Sequence, residues 1–134
     1  MAIHRVCLAV AAVVCAAAIA GAASTKPVSF VCTFAAQELT LTFVVDIAKA
    51  KPDDAGRMVG TAVLVGNAGT ETVDMIVGAN AVSFIERVVT GAVQTTTVQL
   101  KTLAAVHSRH TLMSADGKGE FVPSQARGSC ERKD

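Results

Sequence analysis

Apolar and polar residues alternate along most of the chain beyond residue 24. The cleanest stretch sets Leu39, Leu41, Phe43, Val45 and Ile47 against Thr40, Thr42, Val44 and Asp46. A period of two sends successive side chains to opposite faces of a strand, so the pattern predicts a β-strand with one buried face. Val28, Phe30, Cys32 and Phe34 form another such set. Val59/Thr61/Val63/Val65, Val73/Met75/Val77 and Val82/Phe84/Glu86/Val88 follow. Later strands are expected from about Val93 to Leu100 and from about Ala104 to Met113, then a short one over 120–123 and a last one carrying Cys130. The richness in Val and Thr, with five Phe and no Trp or Tyr, agrees with strands.

Turn signals separate these runs. Lys51-Pro52-Asp53-Asp54-Ala55-Gly56 is the longest, Gly66-Asn67-Ala68-Gly69 and Gly78-Ala79-Asn80 are tight, and Asp116-Gly117 lies inside the stretch 114–119. The one helical candidate, Asp46 to Lys51, is a single turn at most. About eight short strands joined by short turns imply an all-β domain, a small antiparallel β-barrel or sandwich.

The first 23 residues break the pattern. About 20 of them are apolar, and they read as a short positive start with Arg5, an apolar run from Val6 to Ile19, and small residues to Ala23. This is the layout of a cleaved signal peptide, with Ala18-Ile19-Ala20 and Ala20-Gly21-Ala22 both fitting the cleavage rule. The alternative is a single uncleaved anchor, since the run is just long enough to span a bilayer. With cleavage, 1–23 is leader and 24–134 one domain, periplasmic or secreted, with no stable membrane insertion.

Composition changes the picture once the leader is set aside. The 51% hydrophobic content falls to about 43%, ordinary for a globular domain. Loss of Arg5 leaves the basic residues equal in number to the 11 acidic ones. Zero net charge argues against nucleic acid, which needs a basic excess or patch. Two of the four cysteines, Cys7 and Cys15, lie in the leader, leaving Cys32 and Cys130. An even pair in an exported chain reads as a disulfide, which in the chain-entropy account stabilises by up to about 4.7 kcal/mol for a loop of this length. Free thiols are the alternative.

Candidate chemistry concentrates in Ala105-Val106-His107-Ser108-Arg109-His110-Thr111. His107 and His110 would share a face of a helix but point oppositely from a strand, so no metal site is expected and no cofactor either. Strand parity suggests that Ala104, Val106, Ser108, His110 and Leu112 face inward, with Ala105, His107, Arg109, Thr111 and Met113 outward. Val82, Phe84, Glu86 and Val88 form an apolar face, so Glu86 would also point inward, with His110 as its partner; a buried carboxylate needs one. Gln94 and Thr96 would join them beside Val98 and Leu100. Such a set is either an internal hydrogen-bond network that fixes register or the polar floor of a small-ligand cavity. Arg87 and Arg109 would lie on the outer face, solvated or presented to a partner. Gly-x-Ser-x-Gly, a glycine-rich phosphate loop and His-Glu-x-x-His are absent, so no catalytic residue is assigned and no enzymatic activity is expected.

The segments FVCTF at 30–34, SFIER at 83–87, GAVQTTT at 91–97, AVHSRHT at 105–111, VPSQ at 122–125 and GSC at 128–130 resemble a group of small exported proteins of alphaproteobacteria. That resemblance covers most of the mature chain and implies export and one disulfide, without an established activity. In architecture alone the chain is similar to periplasmic inhibitors of C-type lysozyme, small barrels with a disulfide between an early and a late cysteine. It lacks their Ser-Gly-x-x-Tyr motif and has no tyrosine, so no inhibitory residue carries over. The expectation is a non-catalytic binding or envelope-associated protein. The alternatives are a hydrolase inhibitor presenting Arg87 or Arg109, and a small-ligand carrier using Glu86, His110 and Gln94.

Overall fold

The computed structural model describes the backbone of residues 26–113 and 120–134, and the side chains of 26–110 and 123–134. The expected leader at 1–23 and the turn expected at 114–119 lie outside the described residues. The strands are β1 (Val28–Phe34), β2 (Leu39–Val45), β3 (Lys51–Pro52), β4 (Met58–Gly66), β5 (Gly69–Val77), β6 (Ala81–Arg87), β7 (Val93–Gln99), β8 (Ala104–Met113) and β9 (Glu120–Lys133). Three-residue 3₁₀ turns occupy Ala35–Gln37 and Ile47–Lys49, the second where the sequence predicts one turn.

Consecutive strands pair antiparallel except β2 and the two-residue β3, which pairs only with the start of β4. The β2–β4 and β1–β9 pairings close the circle, so the fold is an eight-stranded barrel with one short extra strand, and not a sandwich. Closure leaves no long unpaired edge. The expected short strand at 120–123 and the last strand are one element, the 14-residue β9. Pro123, which lacks an N–H, is exposed within it.

Alternation decides the interior. Phe30, Cys32 and Phe34 of β1, Leu41, Phe43 and Val45 of β2, Val73 and Met75 of β5, Val82 and Phe84 of β6, and Val98 of β7 are all buried. Phe43 stacks on Phe84 with ring centroids 4.0 Å apart, and Phe30 tilts against Phe84 at 6.2 Å. Each fully buried side chain of this size contributes about 1.5–3 kcal/mol. On β4 the buried residues are Ala62 and Leu64, so the set Val59, Thr61, Val63 and Val65 lines the outside.

Cys32 and Cys130 face each other across β1 and β9, and their sulfurs are bonded. The bond spans a sequence separation of 98 and fastens the first strand to the last. Beside it, Gly128 lies so close to Thr33 and Phe34 that a Cβ would collide with the Thr33 carbonyl and the Phe34 ring. Among the described residues no helix is long and apolar enough to cross a membrane, which says nothing of strands.

The parity expected for β8 is reversed. Ala105 and His107 are buried, Arg109 is half-buried, and Ala104, Val106 and His110 are exposed. The ladder explains the reversal. Thr96 and Val98 face inward, and they pair with His107 and Ala105. Inside this wall Phe34 takes the volume, its ring 5.4 Å from that of His107. The neighbouring strands therefore turn small residues inward, Ala105, Ala126 and Gly128, and Val106 is left outside.

Candidate functional site

The β1–β2, β4–β5 and β6–β7 connections lie at one end of the barrel, and among the described residues this end is open. A cavity of about 530 Å³ enters it. Leu39, Leu41 and Leu64 form one wall. Glu71, Glu86, Gln94, His107 and Arg109 form the other, from β5 round to β8. The rim is the glycine-flanked turn 66–69 and the β6–β7 turn, where Val88 N–H donates to Ala92 O at 2.9 Å and Gly91 N–H to Val88 O at 2.8 Å. Gly91 sits at φ +88°, a backbone conformation that favours glycine.

Alternation places each polar group. Glu86 follows Val82 and Phe84 on the inner face of β6, and its ladder partner is Gln94 of β7. Glu71 precedes Val73 and Met75 on the inner face of β5 and pairs with Leu64 of β4. His107 and Arg109 follow Ala105 on the inner face of β8.

His107 is 1% exposed and fixed at both nitrogens. Arg109 Nε donates to His107 Nε2 at 3.1 Å. A nitrogen that accepts carries no proton, so the proton is on Nδ1, which donates to Thr96 Oγ1 at 2.8 Å. Burial, and then the Arg109 guanidinium, hold the imidazole down at about 4, so it is neutral at ordinary pH. The relay Thr96–His107–Arg109 thus aims a guanidinium into the mouth from a neutral, dry support.

Glu86 behaves oppositely. Burial pushes its carboxyl up to about 7, and a hydrogen bond with Glu71 together with that residue's negative charge adds to the rise; Arg109 works against it. Glu86 therefore keeps its proton near neutral pH, because a second negative charge beside Glu71 in a half-closed cavity is disfavoured.

The sequence-predicted residues therefore separate. Glu86 faces inward as expected. His110 does not join it: it is exposed on the outer face of β8, and Glu71 and Arg109 are the charged groups near Glu86. Arg109, expected outside, lines the mouth. Arg87 points outward as expected, exposed at the rim and ion-paired with Asp74. Gln94 lines the cavity and Thr96 lies beneath it, whereas Leu100 falls just past β7 and is exposed. Sequence reasoning misses Glu71 and the leucine wall. The signal for Glu71 is its even spacing from Val73 and Met75. Among the described residues no group of three His, Cys, Asp or Glu side chains is arranged around a metal. Comparison with protein-family models, curated proteins and solved structures finds no match.

Proposed function

We propose that this protein is an exported, non-catalytic binding protein that holds a small molecule in the open mouth of its barrel. The carrying observation is the cavity of about 530 Å³ with leucines on one wall and convergent polar groups on the other. Small-molecule sites have this size and this mixture, and an eight-stranded barrel is just wide enough to hold one ligand. Export rests on the leader pattern and agrees with the Cys32–Cys130 bond, since disulfides persist in oxidising compartments. The test is native mass spectrometry of the protein recovered from an exporting host, alongside Glu86→Ala. An added small-molecule mass on the parent, reduced in the variant while the fold survives, is the expected result. A bare protein whose melting temperature no small-molecule mixture shifts would overturn the reading.

A second reading, a protein inhibitor of a hydrolase, has one specific support. Val89 stands fully exposed in the β6–β7 turn, next to the exposed Arg87. A panel of lysozymes assayed with micromolar protein decides it, and absence of inhibition removes it. Arg109 takes no part in that reading, because it turns into the barrel.

A further inference from the structure

Resting on the ligand-cavity reading, the geometry points to the class of ligand. We infer that the mouth binds an organic monocation with an aliphatic body, a primary alkylammonium ion. Its head is held between Glu71 and Glu86, and its tail lies against Leu39, Leu41 and Leu64.

The charges of the mouth carry this. Glu71 and Glu86 come from adjacent antiparallel strands and share the inner face and the cavity. Facing them are Gln94 from β7 and His107 and Arg109 from β8. His107 is neutral, since one nitrogen accepts from Arg109 and the other donates to Thr96. Arg87 at the rim is balanced by Asp74. Among the described residues, and above about pH 7 where Glu86 is ionised, two carboxylates against one guanidinium leave one uncompensated negative charge. An anion would meet a net negative mouth, with the carboxyl groups of Glu71 and Glu86 opposing the attraction of Arg109. Among the described residues a divalent ion would find two carboxylates and no third His, Cys, Asp or Glu side chain, a thin ligand set for a doubly charged ion. A monocation matches the charge.

The leucines supply the rest of the identity. Glu71 is the direct ladder partner of Leu64, so the carboxylate pair lies where the polar wall meets the apolar one. A ligand that satisfies both is charged at one end and apolar along its length. An ammonium head donates up to three hydrogen bonds, enough to engage both carboxylates and the Gln94 amide oxygen. Below neutral pH Glu86 holds a proton that the cation must displace, and that proton goes to solvent.

The experiment is isothermal calorimetry on the disulfide-bonded protein with n-hexylammonium, using hexanoate and 1-hexanol as controls. Hexylammonium is expected to bind at about pH 8 and up to about 100-fold more weakly at about pH 5, because each pH unit below the pKa costs a factor of about 10. Near pH 6 its binding heat varies with the buffer's ionisation enthalpy, which reports the released proton. Glu86→Gln and Glu71→Gln should each weaken binding by at least about 10-fold at about pH 8. Glu71 is exposed, so its variant reads the effect even if Glu86→Gln does not fold. Hexylammonium binding that survives both variants overturns the inference. Binding of hexanoate or hexanol in place of hexylammonium also overturns it, but leaves the ligand-cavity reading standing. If none of the three binds at concentrations up to about 10 mM, where even a feeble small-molecule site would register, both fall.

Discussion

The two halves of the barrel interior obey different rules. In the closed half Phe30, Phe43, Phe84, Val45, Val82 and Val98 interlock with no polar group among them. In the open half the same alternation delivers Glu71, Glu86, Gln94 and Arg109 to the inner face. The closed half thus holds the barrel together, and the open half gives up stability to groups that a purely structural core would replace with aliphatic side chains. His107 and Thr96 mark the boundary, the two buried polar residues among the described ones. The largest expected effect follows from this division. Phe84→Ala removes the ring that stacks on Phe43 and contacts Phe30, and it should cost about 3–5 kcal/mol in urea unfolding. Glu86→Gln, one inward position further along the same strand, should cost less than about 1 kcal/mol near pH 7, because it removes a repelled charge and keeps the volume. Equal costs would erase the distinction between the halves.

The disulfide sharpens the same contrast. Cys32 is fully buried and joins β1 to β9. Replacing both cysteines by serine frees a loop of nearly the whole domain and should cost about 2–4 kcal/mol, measured as a shift in the urea midpoint at unchanged slope. The loss falls on the unfolded chain, so the mouth should keep its geometry, read as an unchanged His107 titration, wherever the variant is still folded.

Particular residues show how much is legible beforehand. β2 is plain because Leu39, Leu41, Phe43 and Val45 are large and two of their three alternates are threonine; a one-residue slip would bury both hydroxyls and expose all four large side chains. The approximate strand count is also legible in the pattern, and the Cys32–Cys130 pairing in the two cysteines that lie beyond the first 23 residues. β8 is illegible for a physical reason. Its two faces, Ala104/Val106/Ser108/His110 and Ala105/His107/Arg109, differ little in apolar content, so alternation gives a period and no phase. The phase comes from outside the strand, from Thr96 and Val98 across the ladder and from the space that Phe34 fills. β4 misleads in the same way. Its inward residues Ala62 and Leu64 alternate with Thr61, Val63 and Val65, which are as apolar a set and yet face outward. Closure into a barrel depends on the β2–β4 pairing, a contact between strands separated by a turn and the short β3, which no local pattern encodes. At the candidate site Glu86 is found from its own strand, while its neighbours Glu71 and Arg109 need the register of two others.

A smaller effect separates the boundary from the mouth by pH. Glu86 holds its proton up to about 7 in the folded protein, against an ordinary 4.5. Between those values the folded state binds more protons than the unfolded one, so this group's stabilisation is full below about 4.5 and is lost as pH rises through about 7. His107 titrates at about 4 when folded, against an ordinary 6.5. There the unfolded state binds more protons, so stability is full above about 6.5 and is lost as pH falls through about 4. The slopes oppose each other over most of this range, and the parent protein should show a flat stability profile between about pH 5 and pH 6.5. Glu86→Gln should expose the acid-side loss, and His107→Gln the base-side loss, on the order of 1 kcal/mol for the half-open Glu86 once solvent screening is allowed for. Melting temperatures across pH for the three proteins check this. A parent profile as steep as that of either variant would show that one of the two groups titrates normally.

The smallest effect compares two arginines that the sequence alone treats alike. Arg87 is exposed, and its ion pair with Asp74 stands in water on the outside of the barrel. Such pairs are worth about 0–1 kcal/mol, because solvent screens the charges and two long side chains lose freedom to meet. Arg109 is half-buried and donates to the buried nitrogen of His107. Arg87→Ala should therefore shift stability by less than about 0.5 kcal/mol and leave the titration of both Glu86 and His107 in place. Arg109→Ala should cost about 1–3 kcal/mol, since His107 Nε2 loses its donor inside the barrel wall. It should also raise the pKa of both groups, because the guanidinium of the parent disfavours the charged imidazole and favours the charged carboxylate. Two-dimensional NMR titration of the His107 ring reads the first shift directly. If Arg87→Ala moves that titration as far as Arg109→Ala does, β8 runs in the phase its apolar pattern first suggests, and the mouth loses its cation.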